Sequence, residues 1–109
     1  MSYRCLNRTE EKAFEMIGKD PYALEFIKNQ TEKLCLEAVK QDGRALHFVK
    51  EQTEEICSEA VKNNGYALRY ANIQPKKVCL EALHQRHDSY KYIKSPTQEM
   101  ELFYNLSKI

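Results

Sequence analysis

Cys35, Cys57 and Cys79 are equally spaced, 22 residues apart, and each has apolar neighbours. Thiols in such a series could hold a metal or form a redox ladder. Zinc needs its ligands to converge to about 2.3 Å from the ion. A disulfide needs Cα atoms within roughly 7 Å. Equivalent positions on neighbouring packed helices stand about 8–10 Å apart, too far for either. A free cysteine also behaves as a small buried hydrophobe. The three are therefore expected to pack in a core, with Cys5 a bystander outside the series.

Glu15, Glu37, Glu59 and Glu81 recur at one position with the same spacing. They could form an acidic stripe for a basic partner. The pairs Glu37–Lys40 and Glu59–Lys62 stand at i,i+3 and contribute only a few tenths of a kcal/mol each. The expectation is structural: a contact between successive repeats, with the near-periodic Lys28, Lys50 and Lys94 as partners. His84, His87 and Asp88 invite a metal reading, but a turn is expected there and no third ligand follows in a matching pattern. A solvated surface is the simpler reading. Gly18, Gly43 and Gly65 are isolated, so no phosphate-cradling loop is present. No nucleophile elbow or Cys-His-Asx grouping occurs either. The expectation is a non-enzyme, with no catalytic residue, no metal and no cofactor.

A basic and aromatic set is more suggestive. Arg44, His47, Lys50, Arg69, Lys91 and Lys94 interleave with Phe48, Tyr66, Tyr70, Tyr90 and Tyr92. Such a face could stack and neutralise single-stranded nucleic acid. Against that, Phe48 and Tyr70 fall on an apolar stripe, and 17 Lys+Arg against 16 Asp+Glu leave a formal charge of +1. A general polyanion binder usually has a clear basic excess. Tyr22 and Tyr66 are better candidates for exposed contact, because Arg44 takes their place in the copy between them.

These residues are positioned by an internal repeat. QTEKLCLEAVKQDGRALHFVKE begins at Gln30, and QTEEICSEAVKNNGYALRYANI begins 22 residues later at Gln52. The same step gives copies from Gln74 and, backwards, from Arg8. The copies are 8–29, 30–51, 52–73 and 74–95, with 96–109 the first half of a fifth and 1–7 a lead-in. Thr9, Thr31, Thr53 and Thr97 stand where helix N-caps belong, with Pro75 replacing the threonine in copy four. Leu34, Cys35, Ala38 and Val39 form a helical stripe, repeated by Ile56, Cys57, Ala60 and Val61. Asp42-Gly43 and Asn64-Gly65 then predict a stop, with glycine taking the left-handed backbone of a C-cap. Asp20-Pro21 reads as an N-cap followed by proline at the first helical position. A shorter helix of about seven residues follows, with Ala45, Leu46, Phe48 and Val49 as its apolar stripe. In copy five, Met100, Leu102, Phe103, Tyr104, Leu106 and Ile109 are expected to cover the open end.

Helices this short are marginal alone, so the copies must stack into one continuous core. The composition agrees. The 109 residues suffice for one domain, and 3 Gly with 3 Pro are too few for a turn-rich β chain. No apolar run approaches the roughly 20 residues that span a bilayer. The polar start of the chain has no signal-like apolar segment, so the expected setting is cytoplasmic, with reduced thiols.

The run LCLEAVKQDGRALHFVKEQTEEICSEAVKNNGYAL resembles the short bacterial repeats grouped as domain-of-unknown-function family 4116. The resemblance extends over about residues 20–95 and is strongest at 30–71. It implies tandem α-hairpins and carries over no catalytic residue. Copy four departs from it at Arg86-His87-Asp88-Ser89-Tyr90. The expected fold is all-α: one domain over 1–109, a solenoid-like array of stacked short helical hairpins ending in a capping helix at 96–109. The expected function is a non-catalytic scaffold for a protein or peptide partner, through Tyr22, Arg44, His47, Tyr66 and Arg69, with no membrane contact and the oligomeric state left open. The alternative is an array that binds RNA or single-stranded nucleic acid through Arg44, Lys50, Arg69, Lys91 and Lys94.

Overall fold

The computed structural model describes the backbone from 2 to 107 and the side chains from 10 to 106. Five α-helices alternate with four short helices, 75% of the chain being helical, and no strand occurs among the described residues. The α-helices are α1 (Ser2–Lys19), α2 (Glu32–Gln41), α3 (Glu54–Asn63), α4 (Lys76–Gln85) and α5 (Gln98–Ser107). Between them lie Pro21–Phe26, Gly43–Phe48, Gly65–Tyr70 and His87–Tyr92. The chain forms an all-α stacked helical array. Its α-helices pack side by side in one layer and its short helices side by side in a second. The body measures 60 × 21 × 16 Å. Its radius of gyration is 16.0 Å, against about 13 Å for a compact globule of similar length.

Threonine sets the start of α2 and α3. Oγ1 of Thr31 accepts from the Leu34 N–H, and that of Thr53 accepts from Ile56, both at 3.2 Å. Thr97 likewise accepts from Met100 at 3.3 Å. Pro75 gives α4 no side-chain cap. At the start of the chain the expectation fails. α1 runs from Ser2 straight through position 9, so the first helix is 18 residues long where the others have 10. The side chains of Cys5 and Thr9, and all of Ile109, lie outside the described residues.

The short helices are 3₁₀ helices of six residues, not α-helices of about seven. Asp42 explains the change of helix type. It is extended (φ −150°, ψ 111°), ends α2 by donating its N–H to the Ala38 carbonyl, and caps the next helix by accepting from the Arg44 N–H. Three residues per turn then put i and i+3 in line. Leu46 and Val49 thus share the buried side, as do Leu24 and Ile27, and Leu68 and Ala71.

The glycines have a different purpose from the one expected. Among the described residues none has positive φ. A Cβ on Gly43 would run into the Ala60 carbonyl of the next α-helix, and one on Gly65 would stand 2.9 Å from the Ala82 oxygen. Glycine is required there for close approach of successive hairpins.

Glutamines bind the hairpins into a stack. The Gln30 amide donates to the carbonyls of Leu24 (3.0 Å) and Phe48 (2.9 Å), one in each of two consecutive 3₁₀ helices. Its oxygen accepts from the Lys50 N–H at 2.9 Å. Gln52 repeats this with Leu46, Tyr70 and Asn72, and Gln74 with Tyr92 and Lys94. On the other side, Asn63 donates to the Lys40 carbonyl (3.0 Å) and Gln85 to that of Lys62 (2.8 Å), closing the preceding helix's C-terminus. At the far end α5 buries Met100 and half-buries Phe103 and Tyr104. Leu102 and Leu106, expected to cover the end, are 62% and 66% exposed.

Candidate interaction face

The 3₁₀ period that lines up the buried positions also lines up the outward ones. Tyr22 and Glu25, Arg44 and His47, Tyr66 and Arg69, Asp88 and Lys91 each stand three residues apart on successive 3₁₀ helices. Side-by-side packing of those helices makes one face of them. All five expected contact residues are on it: Arg44, His47 and Arg69 exposed, Tyr22 and Tyr66 half-buried.

They fall into two groups. In the first, the Tyr22 hydroxyl donates to Asp42 Oδ2 at 2.7 Å. Arg44 holds the same carboxylate through Nε (3.2 Å) and Nη2 (3.1 Å), with its guanidinium 6.0 Å from the Tyr22 ring centre. The bond to Asp42 pushes the Tyr22 phenol above its ordinary pKa. Partial burial pushes Asp42 up, but the bonds from Arg44 and Tyr22 outweigh it and hold the carboxyl below its usual range.

The second group is larger. The His47 ring contacts both Phe48 (4.9 Å) and Tyr70 (4.7 Å). The Arg69 guanidinium reaches both the Tyr70 ring (5.3 Å) and the Tyr92 ring (5.5 Å). Tyr66 meets the Tyr92 ring edge-on at 6.0 Å and donates to Asp88 Oδ2 at 2.5 Å. Arg86 stands 4.6 Å from the Tyr66 ring centre, and Lys91 reaches both Tyr66 (5.8 Å) and Tyr92 (5.3 Å). The hydrogen bond from Tyr66 lowers the Asp88 pKa. Each aromatic ring is thus gripped by the neighbouring hairpin, and cations lie over the rings.

Tyr92 belongs to the aromatic set read from the sequence, but Arg86 and Asp88 were missed as members of this face. The available signal was the departure of copy four at 86–90, which places new charges where the other copies carry Asp42-Gly43-Arg44 and Asn64-Gly65-Tyr66. Lys50 and Lys94, expected in a nucleic-acid track, are exposed at the ends of the 3₁₀ segments, where their backbone N–H groups donate to Gln30 and Gln74.

The other chemistry-bearing residues are placed apart from the face. Cys35, Cys57 and Cys79 are free and buried. Burial pushes the Cys35 and Cys57 thiols up to about 11 and raises Cys79 as well. The thiols of Cys35 and Cys57 point at the oxygens of Gln30 (3.7 Å) and Gln52 (3.5 Å). His84 and His87 both pack on Phe103, at 4.7 and 5.6 Å, while Asp88 turns to Tyr66. In the glutamate series, Glu81 makes the contact between repeats, but with other partners than Lys28, Lys50 and Lys94. It accepts from Ser58 at 2.6 Å and pairs with Lys62 at 3.4 Å. Ser58 and Lys62 lie one turn apart on the facing α3, whereas the three expected lysines lie beyond the 3₁₀ helices. Glu15 and Glu37 are exposed.

Among the described residues no helix is long and apolar enough to cross a membrane. No curated protein and no solved structure matches the chain. One family model does match, over residues 31–74, which contain α2, α3 and the two 3₁₀ helices that follow them. The matching model is that of a domain of unknown function (DUF4116), so over 31–74 the chain is similar to the family that its sequence resembles.

Proposed function

We propose that the protein is a non-catalytic, solenoid-like docking array that binds a protein or peptide segment along its 3₁₀ face. The observation that carries this reading is the contact of His47 with both Phe48 and Tyr70 and of Arg69 with both Tyr70 and Tyr92. Arginine and tyrosine dominate the energetics of protein interfaces. Side chains already held in place lose little freedom when a partner arrives. The rings are supported from the adjacent hairpin, so the face is as rigid as the stack. A cytoplasmic setting, in which the buried thiols stay reduced, accompanies this reading.

The test is an unbiased peptide array probed with the whole chain. Binders are expected that Arg69→Ala weakens and Lys33→Ala, an exposed change on the α-helical layer, does not. Absence of any binder, or binders indifferent to Arg69→Ala, contradicts the reading. The second reading, single-stranded nucleic acid, draws on cations lying over Tyr66, Tyr70 and Tyr92. Its mark is salt dependence. Affinity for a homopolymeric RNA would fall by orders of magnitude between about 50 and about 200 mM salt.

A further inference from the structure

We infer that the docked segment is acidic, and that its carboxylates seat on the last two 3₁₀ helices, against Arg69, Arg86 and Lys91 where these lie over Tyr66, Tyr70 and Tyr92. This deepens the docking reading and rests on it.

Charge distribution along the face carries the inference. One outward position reads Glu25, His47, Arg69, Lys91 through the four hairpins, passing from acid to base. In the first two hairpins Asp42 is matched by Arg44, and Asp20 and Glu25 stand exposed. In the last two, the outward cations Arg69, Arg86 and Lys91 are met by one carboxylate on the 3₁₀ helices, Asp88, which faces Arg86 and Lys91 and accepts a hydrogen bond from the Tyr66 hydroxyl. A cation over an aromatic ring is fixed in position while its charge is kept. Here the three cations lie 4.6–5.8 Å from ring centres, so they are placed but not neutralised. The planar fork of arginine matches a carboxylate. Two such forks and one ammonium on a tyrosine bed suit a short run of Asp or Glu.

The other end of the face argues against a long polyanion. A phosphate backbone laid along all four 3₁₀ helices would meet Asp20 and Glu25. An acidic stretch confined to the last two hairpins avoids them. The same polarity gives the segment a direction, its acidic part over Arg69 and Lys91 and its neutral or basic part toward Glu25.

Fluorescence anisotropy with three labelled probes tests this: a Gly-Ser peptide with glutamate at alternate positions, its lysine counterpart, and an oligouridylate. The glutamate peptide is expected to bind and the lysine peptide not. Arg86→Ala and Lys91→Ala should each weaken binding about threefold, and Asp88→Asn should tighten it about threefold. Lys33→Ala and Lys77→Ala, on the α-helical layer, should leave it unchanged. Asp88→Asn guards against misfolding as an explanation, because it predicts a gain. Equal binding of both peptides, no gain with Asp88→Asn, or tighter binding of the oligouridylate would overturn the inference. So would a concentration-dependent dimer, by sedimentation, that Lys91→Ala dissolves, since the occupant would then be a second copy. Array binders that lack acidic residues but still need Arg69 would refute the acidic partner and leave the docking reading standing.

Discussion

Where the 3₁₀ helix begins, the third hairpin has Asn64-Gly65 and the fourth has Arg86-His87, yet both bend the same way. Asn64 is at φ −149°, ψ 110° and Arg86 at φ −148°, ψ 118°. Asn64 caps its 3₁₀ helix through its side chain, while Arg86 makes no such bond. The difference lies in what packs against each. Gly65 abuts the Ala82 carbonyl of α4, so the two hairpins meet backbone to backbone. His87 instead packs on Phe103 of α5, and Tyr90 stacks on Tyr104 with ring centres 4.5 Å apart. The fourth hairpin is closed by side chains, the third by glycine. The bend therefore does not need a glycine. It needs an extended residue between two helices, and glycine is required only where another hairpin must come close.

Substitutions that exchange the two regimes should break the comparison most visibly. Gly43→Ala drives a methyl into the Ala60 carbonyl and should cost about 3 kcal/mol in urea unfolding. His87→Ala, at the corresponding place in the fourth hairpin, should cost under about 1 kcal/mol, because it loses only ring contacts at an exposed site. Equal costs would mean that glycine has a conformational role at the bend after all.

The glutamines are the device shared by both hairpins. Gln52→Ala strips the Gln52 bonds from the Tyr70 carbonyl and the Asn72 N–H, leaves the Leu46 carbonyl with Val49 alone, and should cost about 2 kcal/mol. Gln74→Ala, with bonds to Tyr92 and Lys94, should cost somewhat less by the same measurement. Helix caps separate the two regions again. Thr53→Ala should cost about 1 kcal/mol. Pro75→Ala should change stability little, as no side-chain cap is lost.

One effect should have the opposite sign. Ser89 replaces the alanine of Ala45 and Ala67, is 0% exposed, and its hydroxyl has no hydrogen-bond partner among the described residues. Ser89→Ala should raise the unfolding free energy by up to about 1 kcal/mol. A loss of stability there would show that the hydroxyl has an unseen partner.

Much of this was legible in local sequence. Thr31 and Thr53 announce the caps, and the Leu34/Cys35/Ala38/Val39 stripe announces the buried side of α2. Asp20-Pro21 caps its helix as expected, accepting from the Tyr22 N–H at 3.0 Å. What escaped is long-range. Gln30 bonds to Phe48 and Lys50, 18 and 20 residues ahead, and no local pattern reveals such partners. Its recurrence as Gln52 and Gln74, at the head of copies three and four, was the one visible trace. The glycines were misread because a helix-ending Asp-Gly usually signals a left-handed turn, while the cause here lies on the next helix. On the face, Tyr22, Arg44, His47, Tyr66 and Arg69 were singled out from their types and outward positions. Arg86 and Asp88 were not assigned to it, because their places follow from a period of three and from the packing of hairpin on hairpin.

Small-angle X-ray scattering of the whole chain as a monomer bears most directly on the central claim, that the hairpins stack in line and so present one continuous face. A radius of gyration close to 16.0 Å and a longest dimension near 60 Å are the expected result. A value near 13 Å, the size of a compact globule of this length, would contradict it.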